Sequence, residues 1–153
     1  MDAISQWRKQ WFDYIQYLRQ EKGFLDDQFV QLKKLQDENS PDFVVEVISL
    51  FFQDSEKLLN NMANSFEQEV VDFKQIDAHV HQFKGSSASI GAMRIKNVCV
   101  TFKNYCEAQN MDGCLRCLQQ LQQECSVLKN KLEKLLNLER QILAAGGSIP
   151  VLE

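Results

Sequence analysis

The sequence predicts an all-α fold, an antiparallel four-helix bundle with two additional N-terminal capping helices. Three observations predict it. Only 2 prolines and 6 glycines punctuate 153 residues, which favours long helices over many short strands. Apolar residues recur at three- and four-residue spacing along most of the chain. With 44% hydrophobic and 25% charged residues, a chain of this length can bury a real core without disulfides or a structural metal.

Six helices are expected, and each has its own reason. Over residues 5–20, Trp7, Trp11, Tyr14, Ile15 and Leu18 keep helical spacing until Lys22-Gly23 interrupts it. Over 26–36, Phe29, Leu32 and Lys33 or Leu35 follow the same period, after Phe24 and Leu25, and the polar Asp37-Glu38-Asn39 stops it. Ser40-Pro41 then marks the start of a helix over 41–68. The serine can cap free N–H groups, proline at the first helical position loses only a donor without a partner, and Asp42 adds a favourable charge. A fourth helix, 72–90, ends at Gly91, a residue suited to a left-handed cap. A fifth, 94–108, carries Ile95, Val98, Phe102 and Tyr105 and closes before Gly113. The sixth, 113–143, lines up Leu118, Leu121, Cys125, Leu128, Leu132, Leu135 and Leu136. These helices form one domain over 1–145, and 146–153 is expected to be a flexible tail. Short connections between long amphipathic helices give the antiparallel bundle, with the two N-terminal helices packed on one end.

Composition excludes several functions. The net charge of −4 and the lack of a Lys/Arg stripe argue against nucleic-acid partners. The longest apolar runs fall far short of a membrane span, and the segment from Met1 to Arg8 does not look like a signal peptide, so a soluble intracellular protein is expected. Cys99, Cys106, Cys114, Cys117 and Cys125 are an odd set with no secretory context, so reduced thiols are expected. Cys114 and Cys117 make a C-x-x-C, but a zinc ribbon would need a second pair, and no metal site is assigned.

Both histidines lie in the fourth helix. At roughly 100° per residue, Ile76, Val80, Phe83, Ser87 and Ile90 share one stripe, which is the core face. His79 falls roughly 60° to one side of that stripe and His81 roughly 140° to the other, so the pair cannot grip one ion. His79 reads as a boundary residue, its ring partly packed and one nitrogen hydrogen-bonded. His81 reads as exposed. Asp77, Ala78, Lys84, Gly85 and Ala88 share its face, and three of these five are very small. A mid-helix glycine costs on the order of 1 kcal/mol relative to alanine. At roughly 180° from the core, Gly85 has no helix to meet, so its cost points to something large approaching His81. Lys84, one turn along, can reach over a group attached to the ring. An imidazole, with a reference pKa near 6.5, is mostly neutral in the cytosol and can attack phosphorus without a dedicated base. Phosphoryl transfer needs positioning and charge stabilisation, yet the chain shows neither a metal-binding carboxylate cluster nor a nucleotide loop. The missing parts must come from a partner.

The run from His81 to Gly91, H-Q-F-K-G-S-S-A-S-I-G, resembles the H-x-[LF]-K-G-S-S signature of histidine-containing phosphotransfer domains. Phe24-Leu25-Asp26-Asp27-Gln28-Phe29 and Ser40-Pro41-Asp42-Phe43-Val44 extend the resemblance to the plant members that link hybrid histidine kinases, including cytokinin receptors, to response regulators. The resemblance implies a single phosphotransfer domain and a phosphorelay carrier with no catalytic turnover of its own. It implies that His81 is phosphorylated, that Lys84 steadies the phosphoryl group and that Gly85 keeps the surface open. It further implies that a partner receiver domain brings the aspartate and Mg²⁺, with no cofactor on this chain. Some plant relatives lack the histidine and act as inhibitors, whereas this chain keeps it; Phe83 stands where leucine is commoner.

The expected partners are receiver domains of hybrid histidine kinases and response regulators, met by a monomer in cytoplasm and nucleus. Leu25, Phe29 and Leu32 are candidates for docking, with Ala78 and Ala88 flanking the histidine. Ordinary packing of the second helix is the equal alternative for those three residues. Of the serines, Ser87 is on the core stripe and only Ser86 could touch phosphate. Two other functions remain to be distinguished: a helical adaptor without chemistry, and a metal or redox protein built on Cys114, Cys117 and a histidine.

Overall fold

The computed structural model describes residues 2–37 and 39–151. Six α-helices are formed among the described residues: α1 Ala3–Gln16, α2 Asp27–Lys34, α3 Phe43–Phe66, α4 Phe73–Ile90, α5 Met93–Glu107 and α6 Met111–Ala144. Helix α3 packs on α4, α4 on α5, α5 on α6 and α6 on α3, so these four close a ring around the core. At about 1.5 Å per residue, the 34-residue α6 is roughly 51 Å long and outreaches the 18-residue α4, of roughly 27 Å. The overhang is where α1 docks. Helix α2 instead lies on the end of α4.

The core is built from the residues whose spacing predicts it. Trp11, Phe29, Phe83 and Phe102 are its largest fully buried side chains, and Phe83 meets Phe51 edge to face at 6.4 Å. One buried polar knot joins the caps to the bundle. The Trp11 indole N–H donates to Glu139 Oε2 at 3.0 Å, and the Lys33 ammonium pairs with the same oxygen at 2.7 Å. Thus α1 and α2 are both fastened to α6.

Helix ends explain where the observed bounds depart from the expected ones. After Gln16, α1 widens into a π-helical turn, Tyr17–Glu21, in which the Lys22 N–H donates to the Tyr17 carbonyl. Helix α3 begins at Phe43 rather than Pro41, because Ser40 is engaged in a turn and its N–H donates to Asp37. The free N–H of Val44 is met instead by Gln36 Oε1, at 3.0 Å, from the preceding connection. Helix α6 begins at Met111, because Asn110 accepts from the Gly113 N–H and places that glycine in the first turn.

Of the tail expected over 146–153, residues 146–151 are described, and 152 and 153 lie outside the described residues. Gly146, at φ +88°, reverses the chain, and the Gly147 N–H donates to the Ile142 carbonyl at 2.9 Å. This is the paired bonding of a Schellman cap. It returns the chain to the bundle, where Ile149 packs on the core and Pro150 is buried.

Candidate functional site

Helix α4 is set by its two ends. Asp72 caps the start, its carboxylate accepting from the N–H groups of Lys74 and Gln75 at 3.1 Å each. Gly91 caps the other end at φ +78°, with its own N–H and that of Ala92 returning to the last turn. Between these caps, Ile76, Val80, Phe83, Ser87 and Ile90 are buried, as their stripe requires. The opposite face is bare. Ala78, His81, Gln82, Gly85 and Ser89 are exposed and follow one another around the outer side of the helix.

His81 stands on this bare face, and no protein group bonds its ring among the described residues. A methyl group built at Gly85 would meet nothing within 4 Å. The fold therefore leaves this glycine's side of the helix empty, and internal packing does not account for it. Asp77, Lys84 and Ala88 are half-buried, on the flank that leans toward α5. Asp77 faces Lys103 of α5 at 3.8 Å. Among the described residues, no carboxylate forms an ion pair with Lys84. Its positive charge is thus available one turn from His81.

His79 is half-buried on the other flank, as expected, but no protein hydrogen bond reaches its ring among the described residues. The serines are occupied locally. Ser86 and Ser87 both donate to the Phe83 carbonyl, at 3.1 and 2.7 Å, and Ser89 donates to the Ser86 carbonyl at 2.7 Å. Ser86 therefore has its hydrogen directed into the helix rather than toward His81.

The proposed docking residues need correction. Leu25, Phe29 and Leu32 are 1%, 0% and 7% exposed, so none can offer surface to a partner. They seat α2 on the bundle. The surface that does adjoin His81 is supplied by α4 itself, and toward the end of that helix Gln28 of α2 is exposed and its amide donates to the Ser89 carbonyl at 3.4 Å. The sequence reading missed a positioning contact here. The Asp26 N–H donates to the Gly91 carbonyl at 3.0 Å, while the Asp26 side chain caps α2 through the Gln28 N–H. An aspartate three residues before Phe29 is a recognisable cap, but its backbone link to Gly91 has no signature in sequence.

No group of three His, Cys, Asp or Glu side chains is placed to hold a metal among the described residues. All five cysteines are buried and free, and burial raises the pKa of each. No helix is long and apolar enough to cross a membrane among the described residues.

The Hpt domain family matches residues 46–138. Histidine-containing phosphotransfer protein 5 of Arabidopsis thaliana is 58% identical over 149 residues, covering 97% of this chain and 94% of that protein. This chain belongs to the histidine-containing phosphotransfer family. The crystal structure of such a protein from Medicago truncatula superposes with a TM-score of 0.86 at 59% identity, covering 97% of this chain and 98% of that one. A maize member gives 0.82 at 40% identity, over 89% of this chain and 99% of its own. As a histidine-containing phosphotransfer protein, the chain is a phosphorelay intermediate. Its role is to carry a phosphoryl group between signalling proteins.

Proposed function

We propose that His81 is the carrier, receiving its phosphoryl group from a receiver-domain aspartate of a hybrid histidine kinase and passing it to a response-regulator aspartate. The observation that supports this reading is the bare face of α4, where an exposed imidazole lies beside an unpaired lysine and a glycine facing open space. In the first step an imidazole nitrogen attacks phosphorus, the acyl-phosphate P–O bond breaks, and the aspartate leaves as carboxylate. The ring's remaining proton passes to water, which reaches an exposed ring freely. The second transfer is the reverse, with a new aspartate as nucleophile.

Charge on the equatorial oxygens must be met during both steps. Lys84 supplies one cation. Mg²⁺ and the acidic residues that hold it belong to the receiver domain, so the carrier needs no cofactor and has no turnover of its own. Ala78, Gly85 and Ala88 let the partner's active-site rim approach the ring. The protein acts as a monomer in cytoplasm and nucleus.

The decisive test incubates the protein with an active hybrid kinase and ATP. Wild type should gain an acid-labile, base-stable phosphate, and His81→Gln should gain none. Label on the His81→Gln variant would overturn the assignment. Lys84→Ala should fold normally yet transfer about tenfold more slowly, the scale of one lost charge-assisted hydrogen bond. A wild-type rate would remove Lys84 from the mechanism.

A further inference from the structure

The five thiols are not equivalent in their surroundings. Where α5 ends and α6 begins, Cys106 and Cys114 bring their sulfur atoms to 3.9 Å. The approach is built into the backbone. Gly113 lies directly against the ring of Tyr105, where a Cβ would collide with it, so the first turn of α6 can close on the last turn of α5. The Asn110 N–H donates to the Tyr105 carbonyl at 3.0 Å and holds the connection tight.

Cys106 also has a route to the surface. It lines a cleft of about 260 Å³ with Phe73, Lys74, Asp77, Glu107 and Gln109. Lys74, Glu107 and Gln109 are exposed at its mouth. A molecule the size of a peroxide can enter such a space.

From this geometry we infer that Cys106 and Cys114 are a modification site, a dithiol that hydrogen peroxide closes to an intramolecular disulfide. The Cys106 sulfur attacks one peroxide oxygen, the O–O bond breaks, and a sulfenic acid and one water result. The Cys114 sulfur then attacks the sulfenic sulfur. An S–S bond forms, and the hydroxyl leaves as a second water with the Cys114 proton. Two thiols are oxidised and one peroxide is reduced. Closure requires the sulfurs to move from 3.9 Å to bonding distance of about 2 Å, within reach of side-chain rotation and a small shift of the connection. Burial holds both thiols above their ordinary pKa, so the reaction is slow at neutral pH and needs peroxide in excess.

The test is peptide mapping of the intact native protein after hydrogen peroxide and then alkylation in denaturant. Trypsin releases both cysteines in one peptide, Asn104 to Arg116, with Cys117 in the next. The expected result is a peptide lighter by two hydrogens that takes up no alkylating agent until it is reduced. Met111 lies in the same peptide and is exposed, so its added oxygen reports separately that peroxide reached this end of the molecule. Cys106→Ser and Cys114→Ser should each abolish the loss, and Cys117→Ser should leave it unchanged. A fully alkylated Asn104–Arg116 peptide beside an oxidised Met111 would overturn the inference. So would a Cys114–Cys117 bond in wild type, or closure only after the protein is unfolded.

Discussion

At the scale of single residues, the outward face of α4 was legible because it depends only on helix geometry. Seven residues of a regular helix fix which side chain points inward, and His81, Gly85 and Ala78 then fall outward without reference to any neighbour. The pairing of Asp77 was not legible. It depends on α5, whose Lys103 lies against this flank at 3.8 Å. Gly85 offers the sharpest separation of fold from function. Because a Cβ there meets nothing, Gly85→Ala should leave thermal stability unchanged or raise it by up to about 1 kcal/mol, through helix propensity alone. Gly85→Gln should fold equally well, yet its side chain would stand where the partner must approach. Its phosphotransfer rate should fall by about tenfold or more, the effect of an added steric conflict of at least about 1.4 kcal/mol. Melting curves and transfer rates on the same preparations check both halves. Equal transfer by wild type and Gly85→Gln would mean that the glycine does not guard access.

Among the helices, sequence periodicity identified each element but not always the surface that buries it. The eight residues of α2 show which side chains are apolar, and Phe29 and Leu32, with Leu25 just before the helix, could equally have faced a partner or the bundle. What decides is the junction between α2 and the end of α4, which is made from backbone. Gly91 is central to it. At φ +78° a side chain is strained, and a Cβ would lie 2.5 Å from the Phe29 nitrogen and 2.7 Å from the Asp26 carboxylate. Gly91→Ala should therefore combine strain with a clash and cost about 2–4 kcal/mol. The loss should be visible as a lower midpoint in chemical denaturation. Because α2 sits on the end of the helix that carries His81, its displacement should also weaken transfer at temperatures where the bundle remains folded. An unchanged midpoint would show that α2 tolerates a looser seat. The start of α3 follows the same logic: Gln36 caps it from another segment, so the local Ser40-Pro41 pattern pointed two residues early.

Across the whole molecule, the fold class followed from composition and period, while the tie between its ends did not. Trp11, Lys33 and Glu139 are far apart in sequence, and only the packed structure unites them in one buried knot. The cysteines have an equally global consequence. Burial pushes the thiols of Cys99 and Cys125 up to about 12 from an ordinary value near 9, and raises the other three as well. A thiol whose pKa is higher folded than unfolded contributes stability that is fully present below the unfolded value. Above it, the unfolded chain has released a proton that the native chain still holds, so stability falls as pH rises toward the folded value. Each such thiol removes about 1.4 kcal/mol per pH unit in that window. Cys99 and Cys125 together should then remove about 2.7 kcal/mol per unit above pH 9, a large share of a typical domain's stability of about 5–15 kcal/mol. The melting temperature should be nearly level from pH 7 to 8 and drop steeply above 9. Tyr14, raised from 10 to about 12 by burial, adds to the loss only above pH 10, so the interval from 9 to 10 reports the thiols. A Cys99→Ala, Cys125→Ala double variant should start from a lower melting temperature because of the cavities, yet show a shallower alkaline decline. Parallel slopes for the variant and wild type between pH 9 and 10 would show that Cys99 and Cys125 do not carry the alkaline sensitivity.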